Sequence, residues 1–155
     1  MSAPTHNEQD LSRREEMSIS GAAMSGAPWG AAAVTGGVVA AGDFALHVLG
    51  SGLSGFHLSA LSGSVAMGVV AFFVVAAAGA LFRAKPSRAI RWARNNPWRF
   101  AVMPAIAVAA IALVLSVVTG GGVISGVLSG LWHGGVVYGL TGAAGVTRRS
   151  RKPAA

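Results

Sequence analysis

From Phe100 to Thr147 the chain carries no Lys, Arg, Asp or Glu, and between Met17 and Phe82 its only charged residue is Asp43. No other feature of the sequence constrains the fold as much. A surface in water needs charge at short intervals. Soluble domains carry about 25% charged residues, whereas this 155-residue chain carries 11%. Uncharged apolar runs of this length have hydrocarbon as their natural solvent. In hydrocarbon every backbone N–H and C=O must be paired within the chain, so each crossing is expected to be helical. The Val and Gly residues lower helix propensity by less than about 1 kcal/mol each, which that demand outweighs. A soluble enzyme is therefore not expected. The absence of cysteine also removes disulfide frameworks and thiolate metal sites.

A bilayer core takes about 20 helical residues per crossing. Four segments fit, at about 29–49, 60–82, 100–118 and 123–146. Gly50, Ser51, Gly52, Ser54 and Gly55 separate the first pair, and Thr119-Gly120-Gly121-Gly122 separates the last. Neither connection has a Lys or Arg. The middle connection is the opposite, with Arg83, Lys85, Arg88, Arg91, Arg94 and Arg99. Basic residues also flank the spans at Arg13 and Arg14 and at Arg148, Arg149, Arg151 and Lys152. The positive-inside rule keeps such segments in the cytoplasm, and an even number of spans satisfies all three at once. The expected fold class is all-α: an integral membrane four-helix bundle with both termini cytoplasmic and a short amphipathic interfacial helix between the second and third spans.

Residues 1–28 read as a flexible arm of polar and then small residues without helical periodicity. Acidic residues and not a basic segment precede the first apolar run. The first span is therefore expected to act as an uncleaved anchor, with Pro28-Trp29 at the interface. Residues 29–146 form the membrane domain and 147–155 a basic tail. The two halves resemble each other only in Gly, Ala, Val and Ser, which low complexity explains as well as duplication. Arg outnumbers Lys ten to two in this Ala-rich chain. That bias suits a GC-rich bacterial genome, and hence a bacterial plasma membrane.

Apolar bulk drives insertion into lipid, but helices associate there through close backbone approach and hydrogen bonds. Gly122, Gly126, Gly130 and Gly134 recur every four residues, so the fourth span is expected to be central. Gly36 and Ala40 on the first span, and Ser64 and Gly68 on the second, offer similar small faces. Ala101, Ala105, Ala109 and Ala112 line the third span opposite bulky Ile and Leu. That span is expected to be the most lipid-exposed helix or an oligomer face, with Pro104 tolerated in its first turn.

Two polar anomalies stand out. Asp43 lies deep in the first span, where an acidic residue costs about 3 kcal/mol and so calls for a partner. His47 follows on the same helix face, and His133 on the fourth span matches Asp43 in depth. His57 falls in the turn. The leading expectation is an Asp43–His133 hydrogen bond fixing the register of the first and fourth helices. The alternatives are a proton or cation path with Asp43 accepting the proton and His47 or His133 relaying it outward, a metal site on Asp43, His47 and one further His, or an idle Asp43 facing a wet vestibule. The second anomaly is the basic connection. Arg88, Arg91 and Arg94 share one arc of a helical wheel, and Ala89, Ile90, Trp92 and Ala93 share the other. Such a helix, opened by Pro86 and ended by Asn95-Asn96-Pro97, suits a headgroup plane. Trp92 and Ile90 would dip in while Arg88, Arg91 and Arg94 meet anionic lipid. Orientation alone accounts for the net charge of +7, which argues against nucleic acid as a partner.

No nucleophile elbow, Walker-type loop or pair of intramembrane carboxylates is present, so no catalytic residue, metal or cofactor is expected. The expected role is a non-catalytic accessory or assembly component of a membrane complex or homo-oligomer. A small proton or cation channel and a holin-like pore are the alternatives.

Overall fold

A computed structural model of the chain describes residues 13–51, 58–84 and 86–150. Six helices occur among these residues: α1 (Arg13–Met24), α2 (Trp29–Ser51), α3 (Leu58–Leu81), α4 (Arg88–Asn95), α5 (Pro97–Val118) and α6 (Gly122–Ser150). Four of them, α2, α3, α5 and α6, are long and apolar enough to cross a membrane, and they fall on the four segments expected from the sequence.

Two antiparallel hairpins form the bundle, α2 with α3 and α5 with α6. The basic connection and α1 gather at one end of the bundle, and the α5–α6 turn closes the other. There Gly120 (φ 87°) and Gly122 (φ 75°) hold backbone angles that a side chain would strain. Gly122 thus shapes the turn and contributes no packing, and a Cβ on it would meet open space.

The helix at the centre is α3, where the glycine repeat points to α6. It packs against every other helix, whereas α6 has α5 as its main neighbour. The reason is the shape of the α5–α6 seam. A Cβ on Gly126, Gly130 or Gly134 would lie 3.0, 2.7 or 2.9 Å from the carbonyl oxygens of Leu113, Ala109 and Ala105. The glycine ridge is therefore filled by the alanine face of α5, with Ala101 and Ala112 buried beside it. That contact corrects the reading of the third span as the most lipid-exposed: the least covered long helix is α2, which buries only Ala32 and Gly36. Its seam with α3 is equally tight at one crossing, where Cβ atoms on Gly36 and Gly68 would each lie 2.7 Å from the other's carbonyl oxygen.

Two further differences concern the basic end. Residues 13–24 form α1 where the sequence reads as an arm, while residues 1–12 lie outside the described residues. Glu15 and Glu16 in its first turn favour the helix dipole. Its small residues lack periodicity in isolation but make a flush seam. Ser20, Ala23 and Met24 are buried, with Ala76, Ala77, Ala80, Leu81, Ile90, Ala93 and Phe100 in the same cluster as the last two. An Arg99–Glu16 ion pair ties α1 to α5. The second difference is that α5 starts at Pro97, which places Pro104 in the helix interior. The ring removes one backbone donor, a loss that spanning helices tolerate because neighbouring groups compensate.

Candidate functional site

Asp43, the one acidic residue in the long helices, sits half-buried on the α3 side of α2. Its Oδ2 accepts a hydrogen bond of 2.7 Å from the Ser64 hydroxyl on α3. Ser64 is 1% exposed, and the same hydroxyl lies 3.1 Å from the Ala60 carbonyl of its own helix. The expected Asp43–His133 pair is not formed. Because α3 stands between α2 and α6, the second helix of the hairpin is the nearest source of a donor.

His133 is instead held within α6. Its Nδ1 lies 2.7 Å from the Ser129 carbonyl oxygen and 3.2 Å from the Ser129 hydroxyl. A carbonyl only accepts, so Nδ1 is the donor in the contact with the Ser129 carbonyl. His47 is exposed, one turn beyond Asp43, and its carbonyl accepts from Ser51 Oγ at 2.6 Å. His57 lies outside the described residues. Asp43 and His133 therefore bond to different partners, Ser64 on α3 and Ser129 within α6, while the His47 ring lies exposed. No group of three or more His, Cys, Asp or Glu capable of holding a metal occurs among the described residues.

Ser64 as the partner was legible in principle. Asp43 and Ser64 lie at equal remove from the Gly52–Ser54–Gly55 turn, so an antiparallel hairpin sets them side by side. Replacing Ser64 with alanine is expected to cost about 1 kcal/mol, in the usual range for an interhelical hydrogen bond in a membrane. A double-mutant cycle with Asp43→Ala should recover a coupling of that size in detergent unfolding. Zero coupling would mean that the carboxyl spends its interaction elsewhere.

At the basic end, α4 has the expected amphipathic pattern but a different use for it. Its N-cap is Ser87, whose hydroxyl accepts from Ile90 N at 3.3 Å, and Asn96 closes it with a backbone bond to the Trp92 carbonyl. Ile90 and Ala93 are buried against α1 and α3, with Trp92 packed at the edge of that cluster. The apolar arc of α4 is therefore covered by protein. Arg94 also departs from the headgroup reading, because its guanidinium turns inward. Its Nε donates to the Leu81 carbonyl at 2.9 Å and its Nη2 to the Arg83 carbonyl. It thereby caps the end of α3, whose last carbonyls have no intrahelical donor. Arg88 and Arg91 remain exposed, with Arg91 Nη1 donating to the Pro86 carbonyl at 3.2 Å.

No family model matches this chain, and no curated protein or solved structure matches it either.

Proposed function

We propose that the chain is a four-span protein of a bacterial plasma membrane, with both termini in the cytoplasm, acting as a non-catalytic accessory or assembly component of a membrane complex. The placement of basic residues supports the orientation: the exposed Arg14, Arg83, Arg88, Arg91 and Arg99 cluster at one end of the bundle, and the α5–α6 turn at the other has none. Anionic headgroups are the natural partners of that rim.

The observation that carries the accessory role is the isolation of α2. Its one main neighbour among the long helices is α3, reached through Gly36. The opposite face presents Val34, Val38, Ala41, Ala45 and Leu49, all exposed. A helix bound to its own protein along one edge leaves that face for another membrane helix, from a second copy or from a larger complex. A relay from Asp43 to His133 draws no support from a geometry in which Asp43 bonds Ser64 and His133 bonds Ser129.

A photo-crosslinking side chain at Val38, in cells, is expected to capture another polypeptide, and the same probe at Val114 on α5 to capture far less. Equal capture at both positions would remove the basis for this role. So would proton flux in liposomes that Asp43→Asn abolishes.

A further inference from the structure

Over the Gly36–Gly68 crossing the α2–α3 surface carries an open apolar groove of about 250 Å³, lined by residues that include Ala33, Gly37, Ala40, Val65, Val69 and Phe72. No polar side chain lines it, and Gly36, Gly37 and Gly68 leave it free of side-chain bulk. Toward the basic end the same seam continues in order. Trp29 stacks on Phe72 with ring centroids 5.6 Å apart. Pro28 then lies against Gly79, and the Arg83 guanidinium rests against Gly26, which has no side chain to keep it away. Arg83 is exposed. Its carbonyl is taken by Arg94, but its guanidinium forms no hydrogen bond or ion pair among the described residues.

We propose that this seam is a binding site for one anionic phospholipid, with an acyl chain in the Gly37–Val69 cleft and the phosphate on Arg83. The inference rests on the membrane-spanning reading above. Charge and length argue for this occupant. A second helix would bring its own backbone to the glycines but has no use for a guanidinium at the end of the groove. A phospholipid is an apolar chain with an anion at one end, and the site presents those two features in the same order. From Phe72 to the end of α3 at Leu81 is about 14 Å along the helix axis, within reach of a single acyl chain whose headgroup stays level with Arg83. The Trp29 indole suits the carbonyl level between the two. The proposal differs from the rim reading of Arg88, Arg91 and Trp92. There charge meets the leaflet as a whole, whereas Arg83, though part of that rim, also stands at the end of the α2–α3 groove and would hold one molecule lying along it.

The test uses the full chain in a neutral detergent, titrated with phosphatidylglycerol or phosphatidylcholine of equal chain length and read as bound lipid by native mass spectrometry. The wild type is expected to favour phosphatidylglycerol about fivefold, the ratio equivalent to one headgroup–arginine contact. Arg83→Gln should bring the preference of the first bound lipid to near unity, while Arg88→Gln should weaken only the binding of further lipids at the rim. Gly37→Leu fills the cleft, and a Cβ there meets open space, so the fold is not challenged. It should lower occupancy by both lipids at least as strongly. A preference that survives Arg83→Gln, or an occupancy that survives Gly37→Leu, overturns the site. So does a Gly37→Leu variant that loses self-association with lipid binding intact, since the groove then belongs to a second copy. Every variant must still require detergent for extraction. Release of the wild type without detergent would overturn the membrane reading itself and is visible separately.

Discussion

Gly130→Leu is expected to be the most damaging single substitution in the long helices. A Cβ at this position would stand 2.7 Å from the Ala109 carbonyl oxygen, and the remainder of a leucine side chain would have to occupy space that the α5 backbone already fills. Backbone cannot rotate out of the way as a side chain can, so α5 and α6 must separate. Their separation would also loosen the contacts of Gly126 with Leu113 and of Gly134 with Ala105. Overpacking a well-filled interior costs about 1–3 kcal/mol, and a rigid obstacle puts this case at the top of that range, about 3 kcal/mol. Gly135→Leu on the next position is the control. It faces open space and should change stability by less than about 1 kcal/mol. Unfolding in mixed SDS micelles, followed by helicity, separates the two. Equal losses would mean that helix propensity and not the seam is being measured.

Arg94→Gln is the second large effect. The guanidinium joins α4 to the end of α3 through the Leu81 and Arg83 carbonyls, and its removal leaves carbonyls beside a packed cluster without donors. Hydrogen bonds from charged donors contribute about 1.5–3 kcal/mol each, so a loss of about 2 kcal/mol is expected. Arg88→Gln removes the same charge from an exposed position and should be near neutral. Comparing thermal unfolding of the two variants in one detergent distinguishes a structural arginine from a headgroup-facing one. If Arg88 and Arg94 behave alike, the inward turn of Arg94 has no energetic weight.

The parts of the fold readable in advance were those set by solvent alone. Charge-free runs marked the four long apolar helices, and Gly-rich or Arg-rich stretches marked the breaks. Neighbour relations were harder to read, because a repeat such as Gly126, Gly130 and Gly134 says that something approaches closely without saying what. The answer lay in the Ala105–Ala109 face of α5, a small-residue stripe on a helix that by itself reads as lipid-exposed or as an oligomer face. The same ambiguity hid α1. Ser20, Ala23 and Met24 become a buried stripe only once α4 and α5 are present to cover them. At the candidate site, the depth of Asp43 required a partner, but rarity drew attention to His133, while the partner was a serine among many small residues. Arg94 was assigned by its arc on a wheel, and a wheel cannot register the open helix end beside it.

The tie between Glu16 and Arg99 bridges 83 positions of sequence. At about 5–20 residues per second of synthesis, several seconds pass after α1 leaves the ribosome before its counterpart on α5 exists. During that interval the amino-terminal segment must wait, uncovered, while α2 and α3 are made. Its docking is then a late event that reports on what precedes it: α1 can settle only where α3, α4 and the start of α5 have already met on the same side. A protease site placed before Trp29 would on that account be cut readily in chains halted short of α5 and be shielded in finished ones.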